Sequence, residues 1–133
     1  MTTTTLNKTP RTLVAAGTSN AAGATTRGTL DLATKMGGLL TLKFTNGGTG
    51  PTVQCQCNVL VAHNATLPAA GSAGTDWKTV AQFYGGVTNS AVSEFYYEIP
   101  QGAMALEAEF TGNTGQAVTV EAFVSEITSA TTA

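Results

Sequence analysis

Along this chain apolar and polar residues alternate. Between residues 52 and 62, Val53, Cys55, Cys57, Val59 and Val61 share one parity, and Thr52, Gln54, Gln56 and Asn58 share the other until Leu60 breaks the pattern. Side chains of a β-strand point to opposite faces in turn, so the stretch reads as a strand with one oily and one mostly wet face. It is longer than the usual strand of about five or six residues. The remaining strands are expected to pair and pack around it.

The same period recurs on either side. Residues 11–16 form a short first strand, and residues 27–32 alternate with Leu30 and Leu32 on one side. Residues 39–45 turn Leu40, Leu42 and Phe44 inward. Residues 77–84 put Trp77, Thr79, Ala81 and Phe83 on one face, and residues 91–99 do so with Phe95, Tyr97 and Ile99. Residues 103–110 carry Met104, Leu106, Ala108 and Phe110 inward, with Glu107 and Glu109 on the solvent side. Residues 117–127 place Val118, Val120, Ala122 and Val124 together.

Glycine, asparagine and proline clusters separate these runs, and the turn at residues 33–38 is too short for a stable helix. Asn46-Gly-Gly-Thr-Gly-Pro51 is a hairpin signal, which makes residues 39–45 and 52–62 an expected antiparallel pair. Parallel strands need crossover helices, and no helical period is present. The reading is therefore all-β: an antiparallel β-sandwich, its eight strands matching the count of a jelly roll.

Outside the alternating body, residues 1–10 (four threonines, then Leu6, Asn7, Lys8 and Pro10) read as an extended N-terminal arm. Such a segment has little to bury, and it is easily recruited as an added strand on a neighbour's sheet edge. Residues 11–128 form one sandwich domain, and residues 129–133 a short polar tail. The longest irregular piece, residues 63–76, exceeds the usual loop, and loops of that length are often functional. Asn64-Ala-Thr66 matches a glycosylation sequon; with no secretory signal it is read as accidental.

Composition narrows the function. Charged residues make up 11% of the chain, against about 25% in ordinary domains, and 25 threonines and 15 glycines take their place. An uncharged hydrogen-bonding surface suits close contact with other proteins, because few charges need desolvating. The net charge is −2 and the six basic residues are scattered singly, which argues against nucleic acid. No run approaches the eighteen or so apolar residues of a membrane span, and the first residues lack the order of a signal peptide, so a cytoplasmic site of synthesis is expected.

Chemistry is sparse. Cys55 and Cys57 lie roughly 6.5–7 Å apart on one strand face, too far for an unstrained disulfide, and read as buried reduced thiols. His63, the one histidine, reads as a hydrogen-bonded loop residue and lacks companions for zinc. The pairs Glu107/Glu109 and Glu94/Glu98 have the spacing of paired carboxylates but sit on outward faces, where neither acquires a raised pKa. No loop matches a calcium motif. Neither an enzyme nor a cofactor or metal is expected. Trp77, Tyr84, Tyr96 and Tyr97 read first as core filling, and as a sugar platform second.

Three phrases carry a resemblance: Arg11-Thr-Leu-Val-Ala-Ala-Gly-Thr-Ser-Asn20, Leu39-Leu-Thr-Leu-Lys-Phe-Thr-Asn-Gly47 and Glu109-Phe-Thr-Gly-Asn-Thr-Gly-Gln-Ala-Val-Thr-Val-Glu-Ala122. They resemble small capsid decoration, or cement, proteins of tailed bacteriophages. The resemblance implies a β-sandwich made in the host bacterial cytoplasm that binds the outside of the virion capsid. There it would clamp neighbouring copies of the major capsid protein and associate with itself as a dimer or trimer. The residues expected to make protein contacts are Thr3, Thr4, Thr5, Leu6, Asn7, Lys8 and Arg11 on the arm, with His63, Asp76 and Trp77 around the loop. The alternatives are a carbohydrate- or receptor-binding module of a phage tail or fibre, using Trp77 and the tyrosines, and a small hydrolase.

Overall fold

A computed structural model describes residues 2–71 and 75–133. Among them the alternating stretches become eight strands: β1 (Thr4–Asn20), β2 (Thr26–Asp31), β3 (Gly38–Asn46), β4 (Gln56–Ala62), β5 (Lys78–Tyr84), β6 (Val92–Ile99), β7 (Ala105–Thr111) and β8 (Val118–Thr132). They form two four-stranded sheets, ordered β1-β8-β3-β6 and β2-β7-β4-β5, with antiparallel pairing throughout. Apart from β4 and β5, strands consecutive in the chain lie in opposite sheets. This is the strand order of a jelly roll, so the sandwich expected from periodicity is present.

The core forms where the two oily faces meet. Leu40, Leu42 and Phe44 of β3 and Val118, Val120, Ala122 and Val124 of β8 face Cys57 and Val59 of β4 and Leu106, Ala108 and Phe110 of β7. Phe44 joins the layers, meeting Phe110 edge to face with ring centroids 5.4 Å apart. Edge-to-face is the arrangement that aromatic quadrupoles favour. Both cysteines are buried and unpaired.

Three expectations need correction. Residues 39–45 and 52–62 are not a hairpin: β3 pairs with β6 and β8, and β4 with β5 and β7. Their oily faces oppose each other across the core, and the Asn-Gly segment carries the chain from one sheet to the other. It is tied to the segment 86–90. Asn46 Nδ2 donates to Thr88 O (2.9 Å), and the Gly50 amide donates to Asn89 Oδ1 (2.8 Å). A Cβ at Gly50 would lie 2.0 Å from Val87 O, so only glycine fits that approach. The long central strand is also shorter than read, beginning at Gln56, with Val53 exposed and held by a single bridge to Thr114.

The third correction concerns the arm and the tail. Both are extended, but residues 4–10 are already hydrogen-bonded within β1, and residues 129–132 lie within β8. Thr4 pairs with Thr132 and Arg11 with Val124. Two weakly apolar segments satisfied each other's backbone groups, a long-range match that the local pattern of either one does not contain.

Candidate functional site

The expected contact residues fall on two regions that do not converge. Thr4, Thr5, Leu6, Asn7, Lys8 and Arg11 all lie on β1, at the edge of the first sheet. Pairing between β3 and β8 ends at Gly38 opposite Glu126, while β1 and β8 continue as far as Thr4 opposite Thr132. Ile127 still exchanges backbone bonds with Met36 and Gly37 (both 2.9 Å), and beyond it the sheet has narrowed to a two-stranded ribbon. Thr3 and Ala133 extend it with a reciprocal pair of backbone bonds, 2.8 and 2.9 Å. On one side of the ribbon, Asn7 Nδ2 donates to Ser129 Oγ (2.9 Å) and Thr131 Oγ1 (2.8 Å). At its root Arg11 Nε donates to Glu126 Oε1 across 2.8 Å.

The outer face of this sheet continues from the ribbon over β8, β3 and β6. Rows such as Glu94–Lys43–Glu121 and Tyr96–Thr41–Phe123 cross it. Lys43 pairs with Glu121 at 3.6 Å, and Tyr96 is 67% exposed. Two depressions mark the face. One of about 380 Å³ is lined by Thr41, Lys43, Glu94, Tyr96 and Glu121, and one of about 450 Å³ lies at the base of the ribbon between Lys8, Leu39, Glu98 and Ile127.

The second region is the loop between β4 and β5, on the far sheet. His63 lines a shallow depression with Val61, Lys78 and Pro100, and Asp76 is exposed. Trp77 is fully buried, packed with Leu60, Ala62 and Ala105, and its Nε1 donates to Ala69 O at 2.9 Å. Its ring is therefore structural and unavailable to a partner or a sugar. Part of this loop, residues 72–74, lies outside the described residues.

Closure of the loop overturns one further expectation. Glu107, assigned to a solvated face, is fully buried; Oε1 accepts from the Gly71 amide at 3.0 Å and Oε2 has no hydrogen-bond partner among the described residues. Burial pushes its pKa up, the Gly71 bond and Arg27 oppose the rise, and Glu109 adds to it. A signal was present in the sequence: Leu60, of polar-face parity, is the residue that this loop covers.

Beyond the loop the outer face of the second sheet carries a connected belt of polar side chains in one row. Arg27 Nε donates to Glu109 Oε2 (3.1 Å), Asn58 Nδ2 to Glu109 Oε1 (2.9 Å), and Gln82 Nε2 to Asn58 Oδ1 (3.1 Å). Each of its four strands contributes one member. Neither carboxylate pair lies across a cleft. Among the described residues no group of three or more His, Cys, Asp or Glu is placed to hold a metal, and no helix is long and apolar enough to cross a membrane.

No family model matches the sequence, and no curated protein matches it either. Among solved structures, the chain is similar to the K3 cleaved adhesin domain of Lys-gingipain from Porphyromonas gingivalis W83. The two share 10% identity over 81% of this chain and 70% of that one, with a TM-score of 0.55. It is similar as well to the K1 cleaved adhesin domain of the same protein, at 12% identity over 95% of this chain and 96% of that one, TM-score 0.50. At such identities the likeness is one of fold, a β-sandwich.

Proposed function

We propose that this chain is a non-catalytic structural protein that docks on a larger protein lattice and adds contacts between its subunits, as a capsid cement protein does. The observation that carries the reading is the ribbon of β1 and β8. A two-stranded ribbon exposed on both faces is marginal in water, and docking on a second surface supplies what it lacks. Its threonines offer hydrogen bonds at little desolvation cost, and the resemblance of three sequence phrases to phage decoration proteins supports a capsid as that surface. A protein that binds only the assembled shell stabilises it by mass action. The test is co-sedimentation of the full chain with purified expanded phage capsids, with capsid melting followed alongside. Docking should raise the capsid's melting temperature, and a chain trimmed of residues 1–7 and 129–133 should not. Equal protection by the trimmed chain rules the ribbon out, and failure of the full chain to sediment rules out the lattice.

A second reading rests on the belt Arg27–Glu109–Asn58–Gln82. Planar amide, carboxylate and guanidinium groups in fixed orientation can both donate to and accept from sugar hydroxyls. A glycan array separates the two readings, because binding abolished by Asn58→Ala with the fold intact supports the sugar.

A further inference from the structure

The four strands of the first sheet leave one face uncovered, and its make-up is self-complementary. Leu6, Leu39, Val92 and Tyr96 stand exposed on it at 46%, 38%, 55% and 67%. Beside the Leu6 knob, two residues along β1, opens the 450 Å³ hollow at the ribbon base, with Met36, Leu39, Ile99 and Ile127 in its wall. Lys8 and Glu98 also line the hollow, and among the described residues neither takes part in an ion pair. Knob, hole and both signs of charge thus sit on a single surface, which is what an isologous contact requires: residue i meets j while j meets i.

Size agrees with this arrangement. Four strands about 4.8 Å apart and nine residues long at about 3.3 Å per residue, with the ribbon added, present roughly 700 Å². A stable interface takes about 800 Å² from each partner. The alternative, edge-to-edge pairing along β1, is blocked by the strand itself. Pro10 lacks an amide donor, Lys8 stands on the edge, and the register shifts three times.

We propose that the outer face of the β1-β8-β3-β6 sheet, ribbon included, is a two-fold contact through which two copies of this chain pair face to face. In it Leu6 of each copy enters the hollow of the other and Lys8 meets the partner's Glu98. The contact does not depend on the capsid reading, since it forms between copies in solution.

Sedimentation equilibrium of the full chain at micromolar concentration tests it, with dimer mass as the expected result. Lys8→Glu and Glu98→Lys each place like charges opposite one another twice per dimer and should weaken association about tenfold or more. An equimolar mixture of the two variants restores both pairs, so the mixture should associate as the native chain does although neither variant does alone. Leu6→Asp should weaken pairing as well, with the circular dichroism spectrum unchanged. A monomer throughout the concentration range overturns the proposal, and so does a mixture that associates no better than its components.

Discussion

Arg11 and Glu126 face each other across β1 and β8 with 2.8 Å between Nε and Oε1, at the point where the sheet narrows to a ribbon. The two ends of this bond differ. The arginine side chain is half exposed, while the glutamate is 1% exposed. Removing the arginine therefore strands a buried carboxylate, a larger loss than that of a surface pair. Arg11→Ala is expected to lower stability by about 2 kcal/mol in urea unfolding. Adding Glu126→Gln should recover most of that. A loss equal to that of an ordinary surface ion pair would show that water reaches the carboxylate.

Glu107 gives the fold a pH dependence. Its folded pKa is raised above the ordinary 4.5, chiefly by burial. An acid with a raised folded pKa contributes stability that is fully present below its unfolded pKa and is lost as pH rises through the folded value. Stability from this group should accordingly decline on going from pH 4.5 upward. Glu107→Gln keeps an acceptor for the Gly71 amide and removes the charge, so it should stabilise by roughly 1 kcal/mol at pH 8 and by almost nothing near pH 4. Thermal melts of both proteins across that range decide it, and parallel pH profiles would sink the assignment.

Sheet faces are legible in this sequence wherever a residue's parity alone decides burial, as with Leu40, Leu42 and Phe44 or Val118, Val120 and Val124. Partnership between strands is not. Asn46-Gly47 has the local chemistry of a hairpin, yet its placement is set by contacts with residues 86–90, forty positions away, which no local pattern contains. The same holds for residues 4–10, whose partners lie more than a hundred positions along the chain. Glu107 was misjudged because its environment comes from a loop rather than from its own strand. Of the expected contact set, Thr3 to Lys8 are placed on one exposed ribbon with Arg11 at its root, His63 and Asp76 lie in the loop beside the other sheet, and Trp77 is withdrawn into the structure.

The two thiols provide a probe of global unfolding. Burial pushes Cys55 up to about 11, and Cys57 further still. Both are therefore protonated and inaccessible at pH 8, and the thiolate is the reactive form. Native protein should leave Ellman's reagent unreacted on the timescale of free cysteine, with two equivalents released in urea and labelling rates that follow the unfolding equilibrium. Fast labelling of one thiol in the native state would mean that β4 opens locally.

Gly50 tests the crossing between sheets. A methyl group there would stand 2.0 Å from Val87 O, and backbone must move to admit it. Gly50→Ala should cost about 2 kcal/mol. The same substitution at Gly48, where nothing lies within 4 Å, should cost little. Comparable losses at the two positions would show that the segment 46–51 is not held against segment 86–90.

Trp77 decides whether the loop after β4 is a fixed cover or a loose flap. Its ring fills the space above Leu60, Ala62 and Ala105, and its Nε1 holds Ala69 O. Trp77→Ala removes the ring and should cost about 3–5 kcal/mol, whereas Trp77→Phe keeps most of the apolar contact and loses one bond, about 1 kcal/mol. The local readout is amide exchange at Gly71, whose N–H is donated to Glu107. If the indole closes the loop, Trp77→Ala should speed that exchange far more than it speeds exchange in β3 or β8, and Trp77→Phe should have an intermediate effect. Because the ring is buried, loss of any binding in Trp77→Ala must be read together with that exchange. Unchanged protection of Gly71 in the alanine variant would show that the cover is held from elsewhere.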